Sequence, residues 1–205
     1  MPSTRSGQRT NARKIPTQVR SGAMVTAILQ AATELLDSGE QGSYTTNKIA
    51  ERAGASIGSL YQYFPSKDAI TSMLIAHASA RLLVALEKAS MVTDWRAALS
   101  AMVCAAVQHQ LERPGLARLL DAHEARLAAL ESQLRDQKRI HEVLASVLQR
   151  IPNLAEAEAV CEDLMVITRA MCDAAGERKD SCASALVKRV ERAIFGYLEC
   201  PSSTL

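Results

Sequence analysis

From about Arg20 onward, apolar side chains return every three or four positions. Val25, Ile28, Leu29, Ala32, Leu35 and Leu36 fall at the i, i+3, i+4, i+7 spacing of one buried helical face. Gly39 marks the expected end of this helix. Thr45 is placed to cap a second helix running to about Ala53, with Ile49, Ala50 and Ala53 turned inward. Gly54-Ala55-Ser56 reads as a tight turn, after which Ser56 can cap a short helix from Ile57 to Phe64 that Pro65 stops. Ser66 is the cap for a fourth helix, with Asp68 in its first turn, where a carboxylate suits the helix dipole. That helix carries Ile70, Met73, Leu74 and His77 and continues through Leu86 to Lys88.

The same periodicity holds in the rest of the chain. Trp95, Leu99, Met102, Val103, Ala106 and Val107 line one helix, broken at Pro114-Gly115, and a short helix is expected over residues 116–122. A long helix with Leu127, Leu130, Leu134, Leu144, Val147 and Leu148 ends near Pro152. Two more follow, over about 155–175 and 181–199, the last striped with Leu186, Val187, Val190, Ile194 and Tyr197. There is no internal repeat and no heptad array. Residues 1–19, polar and without periodicity, read as a disordered basic arm. Strong helix formers dominate and aromatic residues make up only 3 %, so the fold class is all-α.

Charge sharpens this outline. The net charge is only +2, but residues 1–67 hold eight basic and four acidic side chains, leaving the remainder at −2. A basic first third on a mildly acidic body suits a polyanion as partner for the N-terminal part. The five cysteines, Cys104, Cys161, Cys172, Cys182 and Cys200, form no CxxC pair and mostly sit in apolar helical surroundings, as reduced thiols do. No signal-peptide pattern is present and no apolar run approaches ~18–20 residues, so the expectation is a soluble, cytoplasmic protein without a membrane partner.

The stretch from Tyr44 to Asp68, YTTNKIAERAGASIGSLYQYFPSKD, is a helix, a turn holding a glycine, and a second short helix. This is the helix-turn-helix plan, which sets the start of its second helix in a DNA major groove while the first crosses the backbone. Gly58 and Ser59 keep the tip slim enough to approach base edges. Tyr61, Tyr63 and Lys67 offer hydroxyls and an ammonium to phosphates, contacts that fix the register of docking. Leu60 and Phe64, four apart on one face, are core candidates.

These residues strongly resemble the TetR family of bacterial transcriptional regulators. The resemblance runs over about residues 23–74, through Ala31, Leu35-Leu36, Thr45-Thr46, Ile49-Ala50, Ala53-Gly54, Ser56, Gly58, Ser59-Leu60-Tyr61, Tyr63-Phe64 and Lys67. It implies an N-terminal three-helix DNA-binding domain over residues 20–67, followed by a helical ligand-binding and dimerisation domain over 68–205, with helix four joining the two. By the same resemblance, Thr46 and Asn47 approach phosphate or base. Ile57, Gly58 and Ser59 form the recognition tip, and Tyr61, Tyr63 and Lys67 clamp phosphates, with Gln62 an additional candidate. Ile57 has no polar atom and can only pack, for instance on a thymine methyl, which leaves more of the reading to DNA shape and to the arm. The arginines of that arm would reach a minor groove.

The resemblance further implies a repressor that binds a palindromic operator in double-stranded DNA as a homodimer and is released by a small-molecule effector. The stripes of the last two helices are the expected dimer surface. Met102, His109, Leu127, Met165 and Met171 are the candidate lining of a ligand cavity, suited by its aliphatic and Met walls to an apolar or amphipathic effector. No cofactor and no metal are expected: Cys104 and His109 are five apart, poor spacing for two ligands on one helical face, and His123 and His141 are isolated. An enzyme on a helical bundle finds no nucleophile–base pair, paired carboxylates or phosphate-cradling glycine loop. The residues also leave room for an architectural DNA binder without a ligand, or for a thiol-based redox sensor.

Overall fold

The computed structural model describes residues 17–38, 42–112, 131–178, 180 and 182–199, which form eight α-helices and no strand. These are α1 (Thr17–Asp37), α2 (Thr46–Arg52), α3 (Ile57–Tyr63), α4 (Lys67–Ser90), α5 (Trp95–Glu112), α6 (Glu131–Leu148), α7 (Ala157–Glu177) and α8 (Ala183–Glu199). The arm up to residue 16, the stop at Gly39, the break at Pro114-Gly115, the short helix over 116–122, Leu127, Leu130 and Cys200 lie outside the described residues. Helix α1 starts at Thr17 rather than at Arg20, so residues 17–19 belong to the helix and not to the arm. No glycine or proline in TQVR opposes helix there, although none of these residues extends the apolar stripe that marks the start in the sequence.

Helices α2, α3 and α4 each open on a capping oxygen. Thr45, Ser56 and Ser66 are extended, and their hydroxyls accept from the backbone N–H of Lys48, Ser59 and Ala69 at 3.3, 3.0 and 3.1 Å. Helix α2 ends in a left-handed turn: Gly54 N–H donates to the Glu51 carbonyl and Ala55 N–H to the Ala50 carbonyl. Gly54 sits at φ +66, and a Cβ there would meet nothing within 4 Å. The glycine therefore answers backbone strain and not a clash.

The helices enclose two cores. In the small one, Ile28, Ala32 and Leu35 of α1, Ile49 of α2 and Leu60 of α3 pack with Phe64 and with Ile70, Leu74 and Ala78 of α4. In the large one, Leu86 and Ala89 of α4 meet α5 (Leu99, Met102, Val103, Val107), α6 (Val143, Leu144, Val147, Leu148), α7 (Val160, Cys161, Leu164, Cys172) and α8 (Leu186, Val190, Ile194). Helix α4 belongs to both. Arg150, at the end of α6, donates to the carbonyls of Ser90 and Val92, both at 2.8 Å, pinning the α4–α5 turn.

Three expectations change. The α8 stripe of Leu186, Val190 and Ile194 is fully used inside its own chain, so it is not the face left for a partner. Tyr197, at the far end of the same stripe, is exposed instead, with its hydroxyl donating to Asp163 of α7. By length and composition α4 is apolar enough to cross a bilayer, contrary to the expectation from the sequence. Here it packs against α1, α5 and α6 as the shared helix of two cores.

Candidate DNA-binding surface and ligand cavity

Helix α3 is held by one buried residue, Leu60, at 0 % exposure, and by its cap. The rest of its surface is available. Ile57, Gly58, Tyr61 and Gln62 are exposed, and Ser59 is half-buried with its hydroxyl 2.8 Å from that of Ser56. Across the turn, Asn47 is exposed and Thr46 half-buried, with Thr46 Oγ1 3.3 Å from the Tyr61 hydroxyl, so the start of α2 and the middle of α3 share one polar face. Gly58 has only Ser56 Oγ near its would-be Cβ, at 3.9 Å, so its small size matters toward whatever approaches from outside. Tyr63 differs from its neighbours: it is half-buried and packs against the small core.

Lys67 is exposed at the first turn of α4, its ammonium 5.5 Å from the centre of the Tyr44 ring. Tyr44 begins the motif, but sequence reasoning gave it no role. Its hydroxyl lies 2.9 Å from Oγ1 of Thr71, which is fully buried and also bonds the Lys67 carbonyl at 3.1 Å. Thr71 has one proton, so both bonds are made together when Tyr44 donates to Thr71 and Thr71 donates to the carbonyl. Burial pushes the Tyr44 phenol above its usual pKa, which keeps that proton in place. The available signal was a threonine on the inward face of an apolar helix.

A second site lies in the large core. A cavity of about 650 Å³ opens among α4, α5, α6, α7 and α8, over an apolar floor that includes Leu86, Leu99, Val103 and Leu144. Of the candidates, Met102, His109 and Met165 line it. Met171 does not: it packs against the large core. Burial, with a smaller contribution from the Arg81 charge, lowers the His109 pKa. Sequence reasoning missed the polar members of the wall. Gln110 donates to Asp173 at 3.0 Å, with Arg169 4.0 Å from the same carboxylate. Burial raises the Asp173 pKa despite Arg169. Among the described residues no group of three or more His, Cys, Asp or Glu side chains could hold a metal ion.

Comparison with known proteins places this geometry. Residues 28–72 match the model for bacterial regulatory proteins of the tetR family. Nucleoid occlusion factor SlmA of Haemophilus ducreyi is 31 % identical over 114 residues, 54 % of this chain and 56 % of that protein, so the match spans little more than half of that relative. SlmA of Alteromonas mediterranea is 29 % identical over 154 residues, 68 % of this chain and 76 % of its own. Among solved structures, the fatty acid degradation regulator FadR of Bacillus halodurans superposes with a TM-score of 0.66 at 18 % identity, over 83 % of this chain and 97 % of that one. PfmR of Thermus thermophilus, a TetR-family transcriptional regulator, gives 0.65 at 19 % identity over 83 % and 96 %. LfrR of Mycobacterium smegmatis, solved with proflavine, gives 0.65 at 17 % identity over 86 % and 96 %. Residues 28–72, from α1 to the start of α4, thus match the N-terminal domain of the tetR family, and the fold shared along the chain is that of TetR-family transcriptional regulators.

Proposed function

We propose that the chain is a repressor that binds a palindromic operator as a homodimer and is released by a small molecule held in the α4–α8 cavity. One observation carries the DNA half: Thr46, Asn47, Tyr61 and Gln62 share one accessible face beside the slim Gly58 tip, with Lys67 exposed at its edge. The 650 Å³ cavity beside the lower part of α4 supports the ligand half, being of a size that small molecules fill. For the dimer, the side chains that α7 and α8 leave exposed are the available ones. They include Ala170 of α7 with Gly196 and Tyr197 of α8.

The test is binding of the purified protein to DNA flanking its own gene, by fluorescence anisotropy with excess nonspecific competitor. Tyr61→Phe with Lys67→Ala is expected to weaken binding about tenfold without unfolding the protein, and to lower the salt dependence by about one phosphate contact. Normal binding by the double variant would reject the assignment of the clamp. A second reading, favoured by the two SlmA relatives, is a nucleoid occlusion role. Genome-wide mapping separates them: a local repressor occupies sites beside a few genes, whereas a factor acting over the nucleoid occupies many dispersed ones.

A further inference from the structure

The cavity wall has a charge pattern as well as a size. Its inner part is apolar, built from Leu82, Leu86, Leu99, Val103, Leu144 and Leu164, with Met102 and Met165 adding polarizable thioethers. Its ionic members among the described residues are three carboxylates, Asp136 of α6 with Glu162 and Asp173 of α7, against a single guanidinium, Arg169. No lysine among the described residues lines it. Two imidazoles, His109 and His141, also line it, and burial biases His109 toward its neutral form.

Resting on the reading of this cavity as the effector site, we infer that its ligand is a cationic amphiphile, its apolar body on the leucine floor and its positive head at Asp173, in a wall that also carries Asp136 and Glu162. Of the three carboxylates, Asp173 is the most informative. Its side chain is only 34 % exposed, Gln110 offers it a neutral hydrogen bond, and the Arg169 contact lies at the 4.0 Å limit of an ion pair. Burial raises its pKa in spite of that arginine, so desolvation is not fully offset by positive charge. A cationic head supplies the missing charge in a partly dry site, where it acts more strongly than in water. A carboxylate head would meet a like charge at Asp173 in a wall whose carboxylates outnumber its guanidinium. An uncharged head gains nothing from them.

Three amphiphiles with the same ten-carbon tail separate these cases: decyltrimethylammonium, 1-decanol and decanoate. Each is titrated below its micelle concentration into the full-length protein by calorimetry. The ammonium is expected to bind at least tenfold more tightly than decanoate and several-fold more tightly than decanol. Asp173→Asn, which preserves shape and can still accept from Gln110, is expected to remove most of that preference while leaving decanol binding unchanged. Glu162→Gln, at an exposed position, serves as a second variant and is expected to reduce the preference by a smaller factor. Equal or tighter binding of decanoate or decanol, no binding of any of the three, or a preference unchanged in both folded variants would overturn the inference. Operator binding, measured without amphiphile and then with each, keeps the two readings apart. Release by decanoate or decanol alone would leave the effector reading standing and sink this one, while failure to bind operator at all would strike the proposed function.

Discussion

Replacing Ser56 tests what holds the recognition helix. Helix α3 has seven residues, below the ~12–15 at which isolated helices become marginal in water, and only Leu60 is buried. Beside Leu60 and the half-buried Tyr63, its anchor at the N-terminal end is the Ser56 hydroxyl, which accepts from Ser59 N–H at 3.0 Å. Losing a serine cap costs about 1 kcal/mol, whereas glycine at the same place costs only a few tenths. Ser56→Ala therefore multiplies local opening of α3 by about five, which hydrogen exchange over residues 57–63 reads directly. DNA affinity is expected to stay within about twofold, because the closed helix still predominates. Ser56→Asp separates capping from contact. Aspartate caps as well as serine, so exchange stays slow, but its charge at the start of α3 repels phosphates and operator affinity falls. Unchanged exchange in Ser56→Ala would refute the capping argument, and operator binding at wild-type strength by Ser56→Asp would refute the proposal that this end of α3 meets DNA.

Other regions yield predictions of the same kind. Burial holds the thiols of Cys161 and Cys172 at a pKa of about 11, whereas Cys182 is exposed and lowered chiefly by the Ser184 hydroxyl. Iodoacetamide at pH 8 is expected to alkylate Cys182 well before either buried thiol, read by mass spectrometry of timed digests; equal rates would refute the packing of the large core. His109 is lowered from 6.5 by burial and by Arg81, against a smaller opposing effect of Glu112, so the folded protein binds its proton less readily than the unfolded chain does. This site's contribution to stability is therefore fully present above about pH 6.5 and is lost as pH falls toward the depressed value. Thermal melts at pH 7.5 and 5.5 should show a smaller acid-induced drop in Tm for His109→Gln than for wild type, and equal drops would refute the assignment.

How much could be read from the sequence followed from how local the cause was. The caps at Thr45, Ser56 and Ser66 depend on contacts three residues away, and all three form. Core positions such as Ile28, Leu60 and Leu186 followed from helical period alone, and each is fully buried. Pairings between distant residues carried no such signal. Thr71 meets Tyr44 across 27 positions and Gln110 meets Asp173 across 63, and a polar residue on an apolar helix does not announce its partner. The use of α8 is hidden for a related reason: a stripe shows that a face is buried, but not whether its own chain or another buries it. Met171 is ambiguous in the same way, since a helix-spaced methionine fits core and cavity wall equally well.

The shared helix gives the proposed release a physical route. Ile70, Leu74 and Ala78 fix the first half of α4 in the small core, while Leu82 and Leu86, one and two turns further on, form part of the cavity wall. A helix of 24 residues is about 36 Å long and stiff, and a close-packed core yields to it little. A ligand that displaces the wall at Leu82 and Leu86 therefore moves α4 as a body and carries the small core with it, rather than being absorbed on the way. At the far end the motion meets the Tyr44–Thr71 bond, which ties α4 to the chain entering α2, and Lys67 over the same ring. Lys67, the group proposed to meet DNA at the edge of the site, is thus on the moving helix itself, while Thr46 and Tyr61 belong to the unit it carries. In a two-fold dimer, a small rotation of each unit changes the distance between two recognition helices that must match half-sites spaced by the DNA helical repeat. Because that repeat cannot adjust, release requires only that the ligand favour an α4 position in which the two helices no longer fit together.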